Sequence, residues 1–130
     1  MTRFFRCAAF AALACALSAC SQTAMTPTYK TITPEEAQKM MDAQPAALIL
    51  DVREPMEYDR GRIPGADNLP LSVLEKGIPS NFTAKKDATL LIYCRSGRRS
   101  KLAADILVKA GYTKVYDFGG IESWPYRMTR

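Results

Sequence analysis

Cys94 is the side chain with the clearest capacity for covalent chemistry, and its place in the sequence suits a reactive thiol. It ends an apolar run, residues 89–93, that is rich in β-branched and aromatic side chains. Such a run is typical of a strand buried on both faces. A short loop follows, and a helical pattern opens at Ser100. Because open α/β folds bind ligands at the carboxyl ends of their strands, this order predicts a thiol at a ligand-binding edge.

The loop after Cys94 contains one glycine and three arginines. Backbone amides and a helix N-terminus favour negative charge, and guanidinium groups keep their positive charge. We therefore expect Cys94 to be largely ionised to the thiolate and to meet an anionic or electrophilic partner. The candidate substrate-binding residues of this segment are Arg95, Ser96, Gly97, Arg98, Arg99 and Ser100.

A second buried strand is predicted over residues 46–50, and it ends at Asp51. Arg53 follows two residues later, so that a carboxylate and a guanidinium lie at the same edge of the sheet as Cys94. We favour an ion pair that braces the cysteine loop over direct participation of either group in catalysis.

The elements that must position these residues alternate between strand and helix patterns. Residues 33–36 form a capping-box pattern with proline at the first helical position, which predicts the start of a helix. Apolar spacing predicts another helix over residues 100–110, a last strand covers residues 113–117, and the glycine pair 119–120 turns the chain. The alternation predicts one small α/β domain with a mainly parallel sheet and helices on both faces.

Four segments, in order, resemble the rhodanese family of sulfurtransferases. The cysteine loop has the family's C-x-x-G-x-R spacing, and residues 51–54 read D-V-R-E. Residues 58–68 resemble the family's G-H-I-P-G-A segment, and residues 119–124 resemble its G-G-x-x-x-W ending. One departure is Arg62, where the family usually has histidine; the sequence contains no histidine.

The resemblance implies a rhodanese-like α/β fold with a parallel sheet of about five strands. It also implies a reaction in which the Cys94 thiolate takes the outer sulfur of thiosulfate or a similar donor, and sulfite leaves. The resulting persulfide passes its sulfur to cyanide or to a thiol. The arginines are expected to attract the anionic donor, and no metal or organic cofactor is expected. Trp124 is expected either to wall the pocket or to belong to the core.

Two other functions are weighed against sulfur transfer. A cysteine phosphatase or arsenate reductase has a similar cradle, but its signature places arginine six positions after the cysteine, and here that position is Ser100. A non-catalytic rhodanese-like binding module commonly lacks the cysteine that this chain retains. A thiol redox role without sulfur transfer stays open.

The first 19 residues resemble an export signal. Arg3 and Arg6 precede an uncharged, alanine-rich stretch that is shorter than the roughly 20 apolar residues needed to span a bilayer. The stretch ends in L-S-A-C, which resembles a bacterial lipobox with Cys20 as the lipidated residue. The alternatives are an ordinary signal, which would give a soluble periplasmic protein, and a buried helix.

The expected organisation is therefore a signal peptide at 1–19, a tether at 20–29 and the domain at 30–130. We expect the protein at the periplasmic face of a membrane, with the outer membrane favoured by Ser21. Cys94 is then the one free thiol of the domain, which has no disulfide framework. The whole chain has a net charge of +5, and removal of Arg3 and Arg6 with the signal leaves +3, which is mild. The basic residues do not form a long stripe, so we do not expect the protein to bind nucleic acid. We expect a monomer.

Overall fold

Strands and helices alternate along residues 28–130, the part of the chain that the computed structural model describes. The strands are β1 (Lys30–Thr31), β2 (Leu48–Asp51), β3 (Ala66–Asn68), β4 (Thr89–Cys94) and β5 (Lys114–Gly120). The helices are α1 (Pro34–Ala43), α2 (Pro55–Arg60), α3 (Leu71–Leu74) and α4 (Arg98–Lys109), and a 3-10 turn follows at Ile121–Ser123. The predicted signal peptide, Cys20 and most of the tether lie outside the described residues. Within residues 28–130, no helix has the length and apolar character needed to cross a membrane.

The five strands form one parallel sheet in the order β1-β5-β4-β2-β3. This confirms the predicted α/β fold, with the cysteine-bearing strand β4 in the centre of the sheet. In a parallel sheet all carboxyl ends meet at one edge, so the ends of β2, β4 and β5 come together. That edge gathers Asp51, Cys94 and Gly120.

Two cores cover the two faces of the sheet, as expected for a central strand buried on both sides. Side chains alternate along β4, since Leu90, Ile92 and Cys94 pack in one core, with α3 and α4. Leu91 and Tyr93 pack in the other core, on the side of α1. The Cys94 side chain therefore lies on the same face of the sheet as α4.

The capping box predicted at the start of α1 is confirmed. The Thr33 hydroxyl accepts a hydrogen bond from the Glu36 amide at 3.1 Å, and the Glu36 carboxylate accepts one from the Thr33 amide at 2.8 Å. The two bonds satisfy amides that a helix N-terminus leaves unpaired.

Two of the element boundaries that differ from prediction shape the cysteine loop. Helix α4 begins at Arg98, two residues before Ser100, because Gly97 adopts a left-handed backbone (φ 99°) that ends the loop early. Strand β5 continues to Gly120 instead of ending at residue 117, because its pairing with β4 extends to Cys94. The loop between β4 and α4 is therefore only Arg95–Gly97, and the glycine pair belongs to the sheet.

Candidate active site

The Cys94 thiol lies at the carboxyl end of the central strand and is fully buried. Its Sγ accepts a hydrogen bond from the Gly97 amide at a nitrogen–sulfur distance of 3.0 Å. That contact places the sulfur directly before the N-terminus of α4, where amide dipoles stabilise a negative charge. The geometry suits a thiolate that accepts hydrogen bonds from the backbone.

The glycine pair at the end of β5 packs directly against the backbone of the cysteine loop, a contact that the sequence does not predict. A Cβ added at Gly120 would collide with the Arg95 carbonyl oxygen, and it would lie 2.7 Å from the Ser96 Cα. A Cβ added at Gly97 would lie 3.4 Å from the Gly119 Cα. The loop thus rests on backbone that carries no side chain, and the only signal in the sequence was the glycine pair.

Ser100 and the 3-10 turn also hold the loop. The buried Ser100 hydroxyl donates to the Gly97 carbonyl at 3.1 Å, and the Gly119 carbonyl oxygen is 3.5 Å away. The Glu122 amide donates to the Arg95 carbonyl at 3.2 Å. Ser100 therefore acts on loop shape, from within the first turn of α4.

The expected ion pair between Asp51 and Arg53 is formed. Both oxygens of the buried Asp51 carboxylate accept hydrogen bonds from the guanidinium of Arg53, with distances of 2.6–3.1 Å. The guanidinium also donates to the Gly61 carbonyl at 2.7 Å. The pair consequently ties the end of β2 to the segment that follows α2.

Two further side chains, which the sequence does not single out, hold the residues of this ion pair. The Tyr93 hydroxyl donates to Asp51 Oδ2 at 2.8 Å and accepts from the Ile63 amide at 3.1 Å. Burial, together with the neighbouring Asp51 charge, raises the pKa of Tyr93, so its hydroxyl remains a donor. Asn68 donates to the carbonyls of Asp51 and Arg53 at 3.0 and 2.9 Å.

Carboxylates neutralise two of the three arginines that follow Cys94. Arg99 binds Glu57 of α2 through two hydrogen bonds of 2.7 and 2.9 Å, and this contact lowers the pKa of Glu57 to about 2. Arg95 pairs with Glu122 at 3.0 Å on the surface. Arg98 is exposed and has no ion-pair partner among residues 28–130. Among the three arginines, Arg98 is therefore the one whose charge is free to meet an anionic ligand.

A cavity of about 420 Å³ lies beside the loop. Its walls are Arg53, Glu57, Arg60, Arg95, Ile121 and Glu122. Arg60, at the end of α2, adds a cation that the sequence reading did not single out. A larger cavity of about 570 Å³ lies at the opposite edge of the sheet, near Ala47 and Ala88, and is remote from the thiol.

Trp124 and Arg62 both lie outside this cavity. Trp124 packs in the core on the α1 side, with its ring centroid 5.5 Å from that of Phe118. Arg62 stacks on the Tyr58 ring at 4.4 Å and donates to the Tyr58 carbonyl at 3.3 Å, which caps the end of α2. An arginine at this position thus has a structural contact of its own.

The fold and the site together define a small parallel α/β domain in which a cysteine thiol, held by a short amide loop, lies at the end of the central strand. Comparison with known proteins gives the same class. The family model described as "Rhodanese-like domain" matches residues 33–125, and the chain belongs to that family.

Its relatives include proteins named as sulfurtransferases. The "Thiosulfate sulfurtransferase GlpE" of Stutzerimonas stutzeri is 36% identical over 97 residues, which cover 74% of this chain and 84% of GlpE. The "Probable adenylyltransferase/sulfurtransferase MoeZ" of Mycobacterium tuberculosis is 35% identical over 99 residues, which cover 75% of this chain. The matched part is only 25% of MoeZ, so the chain spans about a quarter of that relative.

A solved structure shows the same fold. "Human Single Domain Sulfurtranferase TSTD1" superposes with a TM-score of 0.64 at 28% sequence identity, over 75% of this chain and 94% of the human chain. The match covers nearly the whole human chain.

Proposed function

We propose that the protein is a thiosulfate-type sulfurtransferase that works through a persulfide on Cys94. The observation that carries this proposal is the position of the Cys94 sulfur at the end of β4, where it accepts a hydrogen bond of 3.0 Å from the Gly97 amide. A thiolate in this position is a strong nucleophile toward a sulfane sulfur. The family membership and the thiosulfate sulfurtransferases among the relatives support the same chemistry.

In the first half-reaction the Cys94 thiolate attacks the outer sulfur of thiosulfate. A new sulfur–sulfur bond forms at the cysteine, the sulfur–sulfur bond of the donor breaks, and sulfite leaves with the bonding electron pair. In the second half-reaction a nucleophilic acceptor, cyanide or a thiolate, attacks the terminal persulfide sulfur and regenerates the Cys94 thiolate. No net oxidation of the protein occurs, and each step is a displacement at sulfur.

The chain's own groups stabilise the charges in these steps. The Gly97 amide and the N-terminus of α4 offset the negative charge on the cysteine or persulfide sulfur. Arg98 and Arg60 supply positive charge that draws the dianionic donor toward the loop. The ion pairs of Arg95 and Arg99 hold the loop in place, against Glu122 and Glu57.

Thiosulfate alone should load the protein, and this experiment tests the proposal. Incubation without an acceptor should add the mass of one sulfur atom to the peptide that contains Cys94, and cyanide should remove it and yield thiocyanate. Double-reciprocal plots for donor and acceptor should be parallel. Turnover without an adduct on Cys94 would mean direct transfer between bound substrates. Efficient Cys94-dependent hydrolysis of para-nitrophenyl phosphate would assign the protein to the phosphatase alternative.

Replacing Arg98 by alanine should weaken donor binding. We expect the KM for thiosulfate to rise about 1.4- to 5-fold, since an exposed charge contact contributes roughly 0.2–1 kcal/mol. The effect on an uncharged donor should be smaller, and added salt should raise the wild-type KM for thiosulfate. The matched control is Lys114→Ala, which also removes one positive charge. Lys114 is the first residue of β5, at the end of that strand away from the cysteine loop. Equal KM values in the two variants and the wild type would show that Arg98 is only a solvated surface charge.

We also propose that the protein is anchored at the periplasmic face of a membrane through lipid on Cys20. The support comes from the sequence of residues 1–20, in which a short uncharged stretch ends in L-S-A-C. The wild-type protein should fractionate with membranes, and Cys20→Ala should release it from them. Recovery of the wild type only in the soluble periplasmic fraction would contradict the lipid anchor, and Cys7→Ala serves as the control substitution.

A further inference from the structure

Strand β5 contains one extra residue where it passes the cysteine. Ile92 of β4 pairs with Asp117, and Cys94 pairs with Gly120. One residue of β4 separates its two pairing positions, whereas two residues of β5 separate theirs, which is a β-bulge. The bulge brings Gly120 opposite Cys94 and lifts the Gly119–Gly120 backbone toward the cysteine loop.

The Asp117 carboxylate holds this bulge. It is fully buried at the start of the bulge, and its Oδ1 accepts a hydrogen bond of 3.0 Å from the Gly119 amide. Gly119 has a φ of 90°, so this hydrogen bond fixes a backbone conformation that side-chain-bearing residues rarely adopt. The other oxygen, Oδ2, accepts a hydrogen bond of 3.0 Å from the ammonium group of Lys101.

Lys101 is the fourth residue of α4, the helix that starts at the other end of the cysteine loop. Its contact with Asp117 therefore connects the helix and the bulge between which the loop is held. The hydrogen bond with Asp117 raises the pKa of Lys101, whose side chain is half exposed. No hydrogen bond joins Asp117 to the Cys94 thiol, whereas its bond to the Gly119 amide reaches the backbone that lies under the cysteine loop.

We propose that Asp117 is a positioning residue of the active site, which acts through its hydrogen bond to the Gly119 amide. That bond keeps the glycine backbone in the place on which Arg95, Ser96 and Gly97 rest. The loop in turn holds the Gly97 amide 3.0 Å from the Cys94 sulfur. Loss of the acceptor at Asp117 should let the bulge relax and move that amide away from the sulfur.

Three variants separate the two contacts of Asp117. Asp117→Ala removes both contacts, and Asp117→Asn keeps an oxygen acceptor for the Gly119 amide but loses the charge. Lys101→Met removes the ion pair together with a cation whose charge also acts on Cys94. Two rates are measured in each: alkylation of Cys94 by iodoacetamide at fixed pH, and sulfur loading from thiosulfate. The loading rate rests on the proposed function, whereas alkylation needs no sulfur donor and tests the position of the thiol by itself.

We expect Asp117→Ala to lower both rates by roughly tenfold to a hundredfold, as a displacement of about 1 Å does at an active site. Asp117→Asn should stay within about threefold of wild type, and Lys101→Met should lower both rates by less than Asp117→Ala does. Thermal unfolding of each variant is recorded as well. If Asp117→Asn and Asp117→Ala lose similar stability but differ in their alkylation and loading rates, the change in rate is a local effect at the cysteine loop. Where Asp117→Ala does not fold, Asp117→Leu provides a variant of similar size without an acceptor.

Equal rates in Asp117→Ala and wild type would overturn the proposal. So would an Asp117→Asn variant as slow as Asp117→Ala, because the charge of Asp117 would then matter and not its hydrogen bond to the Gly119 amide. A normal pattern of alkylation with no sulfur loading in any protein, wild type included, would leave the positioning role in place and reject the sulfurtransferase function.

Discussion

Replacing Cys94 by serine should give a folded protein that neither takes up sulfur from thiosulfate nor turns over. The serine hydroxyl is smaller than the thiol but can still accept a hydrogen bond from the Gly97 amide, so the buried side chain keeps a hydrogen-bond partner. A serine hydroxyl stays protonated at neutral pH and cannot form a persulfide. We expect a loss of at least roughly a thousandfold in kcat, as for other enzymes that lose their covalent nucleophile.

The measurements are thiocyanate formation with cyanide as acceptor and the mass of the protein after incubation with thiosulfate. Far-ultraviolet circular dichroism and thermal unfolding should match the wild type closely, which separates chemistry from folding. Wild-type protein alkylated on Cys94 before the assay provides a second inactive form with an unchanged sequence. Residual turnover by Cys94→Ser near the wild-type rate would mean that the reaction does not use this thiol.

The elements around Cys94 could be predicted because local sequence determines them. The apolar run before Cys94 has too few polar side chains to lie on a surface, and it is the central strand of the sheet. The capping box of Thr33 and Glu36 is satisfied within four residues, so no other part of the chain was needed to locate it. The cysteine's place at the sheet edge then follows from the rule for parallel strands.

The start of α4 and the pairing of the arginines could not be read from local sequence. Arg99 turns toward Glu57, 42 residues earlier in the chain, and Arg95 turns toward Glu122, 27 residues later. A contact of this range depends on the tertiary fold, and sequence alone offers several carboxylates for each guanidinium. The three-arginine cluster consequently contributes less free positive charge than its composition indicates.

Tyr93 and Asp117 illustrate the same limit in the core. Both look like ordinary strand residues, yet Tyr93 bonds to Asp51 across 42 positions, and Asp117 bonds to the amide of Gly119 within a bulge. A bulge arises from the register between two strands, which the sequence of one strand does not contain. For that reason the sequence predicts a turn at the glycine pair, whereas in the fold the pair belongs to β5 and supports the cysteine loop.

Gly120→Ala should therefore cost the protein most of its activity without touching a reactive group. Gly120 has an extended backbone (φ −115°), which alanine adopts without strain, so the effect of the substitution is steric alone. The added Cβ would collide with the Arg95 carbonyl oxygen and lie 2.6 Å from the Arg95 carbonyl carbon. These are backbone atoms, and relief requires the whole loop to move away from β5.

We expect kcat/KM for thiosulfate to fall by roughly tenfold to a hundredfold, because the Gly97 amide moves with the loop. Overpacking of this kind also costs about 1–3 kcal/mol of folding stability. Gly77→Ala is the matched control: Gly77 has a φ of 120°, and an added Cβ there has no atom within 4 Å. That substitution strains the backbone far from the site, so it should lower stability and leave turnover close to wild type.

The comparison of the two variants at a temperature where both are folded isolates the loop. A Gly120→Ala protein with wild-type turnover would show that the cysteine loop can move away from β5 without loss of activity. The close contact between β5 and Arg95 would then have no part in the reaction. A loss of activity in Gly77→Ala as large as in Gly120→Ala would trace both effects to stability. The expected result, a large loss in Gly120→Ala alone, makes the bare backbone of β5 a requirement for holding the Cys94 thiol in its reactive position.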